Sequence, residues 1–140
     1  MHTQKLIATA GQYLFPVCVY YEDTDAGGVV YHANYLNYME RARTQWLMSL
    51  GFNLKDWAQE QSQILVVRSL NIEYIKPAVL LDELVVISSV SKHGKVRLHF
   101  SQNILRGEQL LIKAQVEIVC INSKTMRPTA LPEIFSKLIV

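Results

Sequence analysis

The spacing of hydrophobic positions predicts one long helix in the first half of the chain. Between residues 35 and 50, hydrophobic side chains recur at intervals of three and four, which is the period of one helix face. These side chains are Tyr35, Tyr38, Met39, Ala42, Trp46, Leu47 and Leu50. Gly51 follows where a left-handed cap ends many helices. A short second helix is predicted from Asn53 to Gln61.

Beyond residue 63 the pattern changes from the period of a helix to that of strands. Alternation predicts strands at about residues 69–74, 96–101 and 112–120, and two further strands are predicted from Leu14 to Tyr21 and over about residues 82–91. Pro16 favours a sheet edge for this first strand, because proline cannot donate a ladder hydrogen bond. The stretch 82–91 is hydrophobic on both faces, which is typical of a central strand. Pro132 is suited to open a short final helix.

This order of elements predicts the fold class. One strand, one long helix and a run of antiparallel strands indicate an α+β fold, with a curved antiparallel β-sheet wrapped around one central helix. We expect residues 1–140 to form a single domain, of which residues 1–12 are weakly ordered. Unpaired edge strands also favour dimerisation through the sheet.

Composition narrows the class of protein. The 140 residues are 50% hydrophobic and 19% charged, which suits a single hydrophobic core. No hydrophobic run approaches the roughly 20 residues that span a bilayer, and no signal-peptide pattern is present, so a soluble cytoplasmic protein is expected. A net charge of +2 gives no indication of nucleic-acid binding. Cys18 and Cys120 fall in predicted strands, and we expect both to be reduced core residues.

The stretch from Tyr20 to Tyr35 is rich in residues that contribute little to a hydrophobic core. Its sequence, YYEDTDAGGVVYHANY, places the two aspartates Asp23 and Asp25, a glycine pair and one histidine directly before the long helix. Acids and glycines contribute little to a core, and glycine loses much backbone entropy on folding. This composition predicts an active-site loop. The two acids are not a metal site by this reading, since no further ligands follow at calcium-loop spacing.

The loop, the helix segment LNYMERART and the later IEYIKPA resemble a known family. They are similar to the hotdog-fold acyl-CoA thioesterases of the 4-hydroxybenzoyl-CoA thioesterase type, and within it to the YbgC-like group associated with the Tol-Pal system. The resemblance covers about residues 13–130. It implies an acyl-CoA substrate, no cofactor besides the coenzyme A of that substrate, and dimers or tetramers built from dimers, with active sites at the subunit interface.

Transferred position by position, the resemblance implies the catalytic residues. The family's catalytic acid falls on Asp25, as a nucleophile or as a general base that activates water. Asp23 is left to turn formation or support. The backbone amide of His32, just before the helix, would bind the negative charge that develops on the thioester oxygen. The sequence does not decide whether the side chain of His32 has a direct role in the reaction or only packs beside the helix.

Other residues are predicted to bind substrate. Gly27 and Gly28 would let a substrate approach the backbone closely. Tyr31 and Tyr35 would either line the acyl site or belong to the core. The phosphates of coenzyme A need cations, and one or two are expected to come from Arg68, Lys95 and Arg97, with Lys92 and Arg127 as further candidates.

Two other classes of function remain open from the sequence. Hotdog folds also include dehydratases that act on acyl chains held by a carrier protein, although the DTDAG loop argues against that chemistry. The protein would otherwise be a non-catalytic partner of lipid-synthesis or cell-envelope machinery. Acyl carrier protein is a second candidate carrier for the thioester.

Overall fold

A five-stranded antiparallel sheet packed on one long helix forms the frame of this protein. The computed structural model describes residues 11–139. Its elements are β1 (Gln12–Cys18), α1 (Asn34–Ser49), α2 (Leu54–Gln61), β2 (Gln63–Tyr74), β3 (Glu83–His93), β4 (Arg97–Arg106) and β5 (Gln109–Asn122), with 3₁₀ segments at Tyr21–Asp23 and Glu133–Leu138. The strand order is β1-β3-β4-β5-β2, so β1 and β2 are the sheet edges. The predicted α+β class is confirmed.

The buried face of α1 divides the core into two halves. Tyr35, Tyr38, Met39 and Ala42 pack into one cluster with residues of β3, β4 and β5. Trp46 and the last turn of α1 pack into a second cluster, which includes the final 3₁₀ segment. The hydrophobic spacing that predicted this helix is therefore the face that lies against the sheet.

The ends of the elements differ from the predictions for local reasons. β1 ends at Cys18 because the chain leaves the sheet and forms a 3₁₀ turn at Tyr21–Asp23. β2 begins at Gln63, six residues earlier than predicted, and its pairing with β5 is irregular between Val67 and Ser69. A bulge moves every later side chain to the opposite parity, so the alternation that marks residues 69–74 does not extend back through the bulge.

Several smaller predictions are resolved by the sheet. Pro16 lies in edge strand β1, and β3 lies between β1 and β4, both as predicted. Cys120 is buried, but the prediction for Cys18 was wrong: its side chain is exposed at the end of the edge strand, and both thiols are free. The predicted weakly ordered start falls largely on residues 1–10, outside the described residues. No helix within residues 11–139 has the length and apolar character needed to cross a membrane.

Gly51 ends α1 in the left-handed conformation, with φ of 83°. We expect Gly51→Ala to lower the free energy of unfolding by about 1 kcal/mol, because a Cβ is strained at positive φ. Urea denaturation monitored by tryptophan fluorescence measures this loss. Gly94→Ala is the matched control, since Gly94 lies outside the positive-φ region and its added Cβ would meet only ordinary contacts. Equal midpoints for the two variants would contradict the assignment of Gly51.

Candidate active site

Asp25 stands at the tip of an exposed turn that its own carboxylate shapes. Asp25 Oδ1 accepts a hydrogen bond from the Gly27 amide at 2.8 Å, and the turn closes through Gly28 N–H to Asp25 O and Asp25 N–H to Val29 O. A Cβ at Gly27 would approach Asp25 Oδ1 to 3.2 Å, and Gly28 has φ of 83°. Asp25 Oδ2 has no hydrogen-bond partner within residues 11–139. One carboxylate oxygen is thus fixed and the other is available.

Asp23, two residues earlier, points inward and is buried. Its carboxylate accepts hydrogen bonds from the Tyr20 amide at 2.9 Å and from Asn34 Nδ2 at 2.8 Å. Its backbone carbonyl accepts from the Tyr31 amide at 2.9 Å. Burial raises the pKa of Asp23, but the hydrogen bonds to its carboxylate and the positive charge of Arg41 lower the pKa by more and leave it below its ordinary value. Asp23 therefore joins the loop to the first residue of α1.

The start of α1 leaves backbone donors unpaired. The Asn34 amide bonds to the Tyr31 carbonyl, whereas the amides of His32 and Ala33 have no acceptor in the part of the chain that the structure describes. Ala33 precedes the helix without a side-chain cap. Unpaired amides at a helix start carry partial positive charge and favour a negative group beside them.

Aromatic side chains surround this helix start. His32 is exposed and lies between Tyr31, with ring centroids 4.6 Å apart, and Tyr74, at 6.3 Å. The Tyr74 hydroxyl donates to the His32 carbonyl at 2.9 Å. Tyr31 is about half exposed, whereas Tyr35 is buried and accepts a hydrogen bond from the Ala78 amide. Of the two predicted tyrosines, Tyr31 faces solvent and Tyr35 belongs to the core.

The sequence of this chain matches a protein family whose chemistry is known. Residues 19–139 match the model of the thioesterase-like superfamily. An acyl-CoA thioesterase YbgC of Haemophilus influenzae is 45% identical over 119 residues, which cover 85% of this chain and 88% of that protein. An acyl-CoA thioesterase YbgC of Helicobacter pylori is 32% identical, with 86% and 95% covered. This chain belongs to the thioesterase-like superfamily.

Solved structures agree with this membership. A probable thioesterase from Bartonella henselae superimposes with a TM-score of 0.82 at 37% identity, covering 86% of this chain and 99% of that one. A 1,4-dihydroxy-2-naphthoyl-CoA thioesterase from Synechocystis gives a TM-score of 0.85 at 28% identity, covering 91% and 95%. The predicted hotdog fold is confirmed, and the chain is a thioester hydrolase.

The predicted basic residues of this thioesterase lie away from the loop in the same chain. Tyr74, beside His32, pairs with Ile112 of β5, whereas Arg97 pairs with Val119. Seven residues along a strand correspond to about 24 Å. Lys95 lies beyond Arg97 in the turn after β3. Within one chain, these cations and Asp25 are therefore not brought together.

Arg68 and Arg97 meet at Glu117 instead. Arg68 Nη1 and Arg97 Nη1 lie 3.2 and 3.4 Å from the two carboxylate oxygens of Glu117, and Ser69 Oγ donates to one of them. Burial raises the pKa of Glu117, but the Ser69 hydrogen bond and the positive charges of Arg68, His99 and Arg97 lower it by more. Both arginines are thus already paired with a carboxylate in this structure.

The sequence reasoning missed Tyr74 and Asn34 as parts of this site. Tyr74 lies 42 residues from His32 along the chain, and only the pairing of β2 with β5 brings it to the helix start. Asparagine favours the N-cap position, yet Asn34 is the first residue of α1 and its side chain donates to Asp23. Within residues 11–139, no three His, Cys, Asp or Glu side chains are grouped as a metal ion would require.

The lowered pKa of Asp23 makes part of the stability depend on pH. Because the folded pKa lies below the unfolded value of about 3.9, the stabilisation is present above that value and is lost as pH falls through the folded pKa. We expect Asp23→Asn to lower the free energy of unfolding at pH 7, and the difference from wild type to shrink below about pH 4. Urea denaturation across pH 3–7 measures it. A difference that stays constant with pH would contradict the role given to the carboxylate.

Proposed function

We propose that this thioesterase hydrolyses acyl-CoA thioesters to a free acid and coenzyme A, and that Asp25 supplies the catalytic carboxylate. The observation that carries the proposal is the state of the Asp25 carboxylate at an exposed turn: Gly27 holds one oxygen, and the other has no hydrogen-bond partner among the described residues. The curated relatives named above are acyl-CoA thioesterases, which favours coenzyme A as the thiol. Neither the dehydratase nor the non-catalytic alternative is favoured by those relatives.

Asp25 acts in one of two ways that use the same free oxygen. As a general base, it takes a proton from water, and the resulting hydroxide attacks the thioester carbonyl carbon. As a nucleophile, the carboxylate attacks that carbon itself, and the mixed anhydride is then hydrolysed by water. In both routes the C–S bond breaks, the electron pair leaves on sulfur, and the thiolate takes up a proton to give the free thiol.

The amide of His32 is proposed to stabilise the carbonyl oxygen. Negative charge develops on this oxygen while the carbonyl carbon is attacked, and a preorganised N–H donor is typically worth about 2.7–4 kcal/mol of barrier. Support comes from the His32 amide, which has no acceptor among the described residues, and from the Tyr74 hydrogen bond to the His32 carbonyl, which restrains the backbone directly after that amide. The His32 ring, between two tyrosines, would pack against the thioester group.

Substitution of Asp25 tests the proposal. We expect Asp25→Asn to lower kcat/KM for acyl-CoA hydrolysis by at least about a hundredfold, because the amide neither accepts a proton at neutral pH nor attacks a carbonyl. Release of free thiol, followed with a chromogenic disulfide reagent, measures the rate.

Glu22→Gln is the control for this substitution. Glu22 lies on the same loop and is exposed, so its variant removes an equal charge without touching the proposed chemistry. Full activity of Asp25→Asn would refute the catalytic assignment. Absence of thiol release by wild type, over a panel of acyl-CoAs, would refute the substrate class.

We propose further that two copies of the chain form the active unit. In edge strand β2, the side chains of Val67, Leu70 and Tyr74 are about two fifths to one half exposed. All three lie on the face of the sheet that carries α1. An open edge with hydrophobic side chains favours association with a second sheet. The second copy would also bring its own cations toward the first loop, which would reconcile the predicted phosphate contacts of Arg68, Lys95 and Arg97 with their distance from Asp25.

Solution mass tests this association. We expect light scattering at micromolar concentration to give at least twice the chain mass of 16.0 kDa. The physical reason is that burial of the β2 edge removes hydrophobic surface from water. A mass of one chain at that concentration would exclude a stable dimer.

Four finer assignments stay predictions. They are substrate contacts by Gly27, Gly28 and Tyr31, acyl carrier protein as an alternative thiol carrier, association with the Tol-Pal system in the cytoplasm, and catalysis without a metal or cofactor. The last fits the proposed chemistry, since a carboxylate, water and an amide donor suffice for thioester hydrolysis.

A further inference from the structure

A cavity between α1 and β2 has two charged residues in its wall, and both come from α1. Its volume is about 140 Å³, and Glu40, Arg43, Leu47, Leu65, Val67 and Phe100 are among the residues that line it. An apolar cavity of about 150 Å³ in another protein takes up benzene, so this space holds several carbon atoms. Apart from the polar wall that α1 supplies, the lining is hydrophobic.

Arg43 is fixed in that wall by a buried amide. Arg43 Nη1 donates to Gln102 Oε1 at 2.8 Å. Gln102 is fully buried, and its Nε2 donates to the Met39 carbonyl at 3.0 Å and to Ser88 Oγ at 2.9 Å. Arginine has only donors, so the orientation of the Gln102 amide is determined by its partners. The guanidinium is therefore held at one place.

Arg43 has no carboxylate at ion-pair distance within residues 11–139. The nearest acid in sequence on the same helix side, Glu40, borders the cavity and accepts a hydrogen bond from Thr44 at 2.8 Å. A charged group needs water or hydrogen-bonding partners, and alkyl groups supply neither. An alkyl chain that pressed against Arg43 would remove that water without replacing it.

One face of β2 extends from the proposed active site to the cavity. Strand β2 runs antiparallel to α1: Tyr74 lies beside His32 at the start of the helix, while Leu65 and Val67 lie beside Arg43 and Leu47 near its end. The intervening residues of β2 on this face are Leu70 and Ile72, both hydrophobic. A row of hydrophobic side chains thus leads from the helix start to the cavity, and the term groove is used for this row together with the cavity.

We propose that the distal part of the substrate's acyl chain occupies this groove, and that Arg43 ends it and sets the longest aliphatic chain accepted. The inference rests on the acyl-CoA thioesterase activity proposed above. Arg43 acts as a specificity residue at the far end of the chain and takes no part in the chemistry. Gln102 is a positioning residue, since it contacts Arg43 and not the groove.

The length of the groove gives the expected limit. Arg43 lies nine residues beyond Asn34, which corresponds to about 14 Å at the helical rise of 1.5 Å per residue. An extended alkyl chain advances roughly 1.3 Å per carbon, given C–C bonds of about 1.5 Å. A chain of about ten carbons therefore reaches from the helix start to the guanidinium.

A series of saturated acyl-CoAs tests the inference. Each methylene buried is worth about fourfold in affinity, so kcat/KM of wild type should rise with length up to about ten carbons and then level off or fall. Arg43→Met should extend the rise by two to four carbons and increase the ratio of kcat/KM for the fourteen-carbon to the ten-carbon substrate at least about tenfold. The change should appear mainly in KM. All substrates are used below the concentration at which they form micelles.

Two variants control for charge and for the helix. Arg41→Met removes the same charge from an exposed position two residues away, and its chain-length profile should match wild type. Arg43→Lys keeps a cation at the end of the groove, and the limit should stay near ten carbons. Light scattering on each variant verifies that the oligomeric state is unchanged.

Several results would overturn the inference. Identical profiles of wild type and Arg43→Met would do so, as would a shift that accompanies dissociation of the oligomer, which would mean that Arg43 contacts the second copy. If hydrolysis depends on Asp25 but the chain-length profile does not change in Arg43→Met, the groove is rejected and the proposed function stands. Absence of hydrolysis of every acyl-CoA by wild type rejects the proposed function and the groove together.

Discussion

The hydrogen bonds of Asp23 are the constraint on which the candidate site depends. The carboxylate binds the Tyr20 amide on one side and the Asn34 side chain on the other, and the carbonyl binds the Tyr31 amide. These contacts fix the loop and the helix start relative to each other. The two-residue spacing then turns Asp25 outward, where only its own turn holds it. A structural carboxylate thus positions the one to which we assign the chemistry.

Most of the fold was predictable because hydrophobic spacing reports which face is buried. The stripe from Tyr35 to Leu47 is buried as predicted, and Ile112, Ala114, Val116 and Ile118 of β5 face the core in alternation. Such patterns depend only on the period of the local backbone. The loop was also recognisable, since its acids and glycines have no use in a core. Its assignment to thioesterases came from resemblance and was confirmed by the family match.

What sequence reasoning missed depends on contacts between distant segments. Arg68 and Arg97 looked like free cations, but their partner Glu117 lies on β5 and reaches them only through strand pairing. Cys18 looked like a core residue, but its strand is at the edge of the sheet. The bulge at the middle of β2 changes parity without a glycine or proline to mark it. Local pattern contains none of these facts, because each depends on which strands are neighbours.

The buried hydrogen bonds beneath α1 connect the core to the proposed specificity for acyl-chain length. Buried polar groups are rarely more stabilising than hydrophobic residues of the same volume, yet Gln102 and Ser88 lie fully buried with their hydrogen bonds satisfied. Their net effect is to hold Arg43 at the wall of a hydrophobic cavity. A leucine at position 102 would remove the acceptor and leave the guanidinium free to turn toward solvent. The buried amide therefore fixes the position of the Arg43 guanidinium, which hydrophobic packing alone would not do.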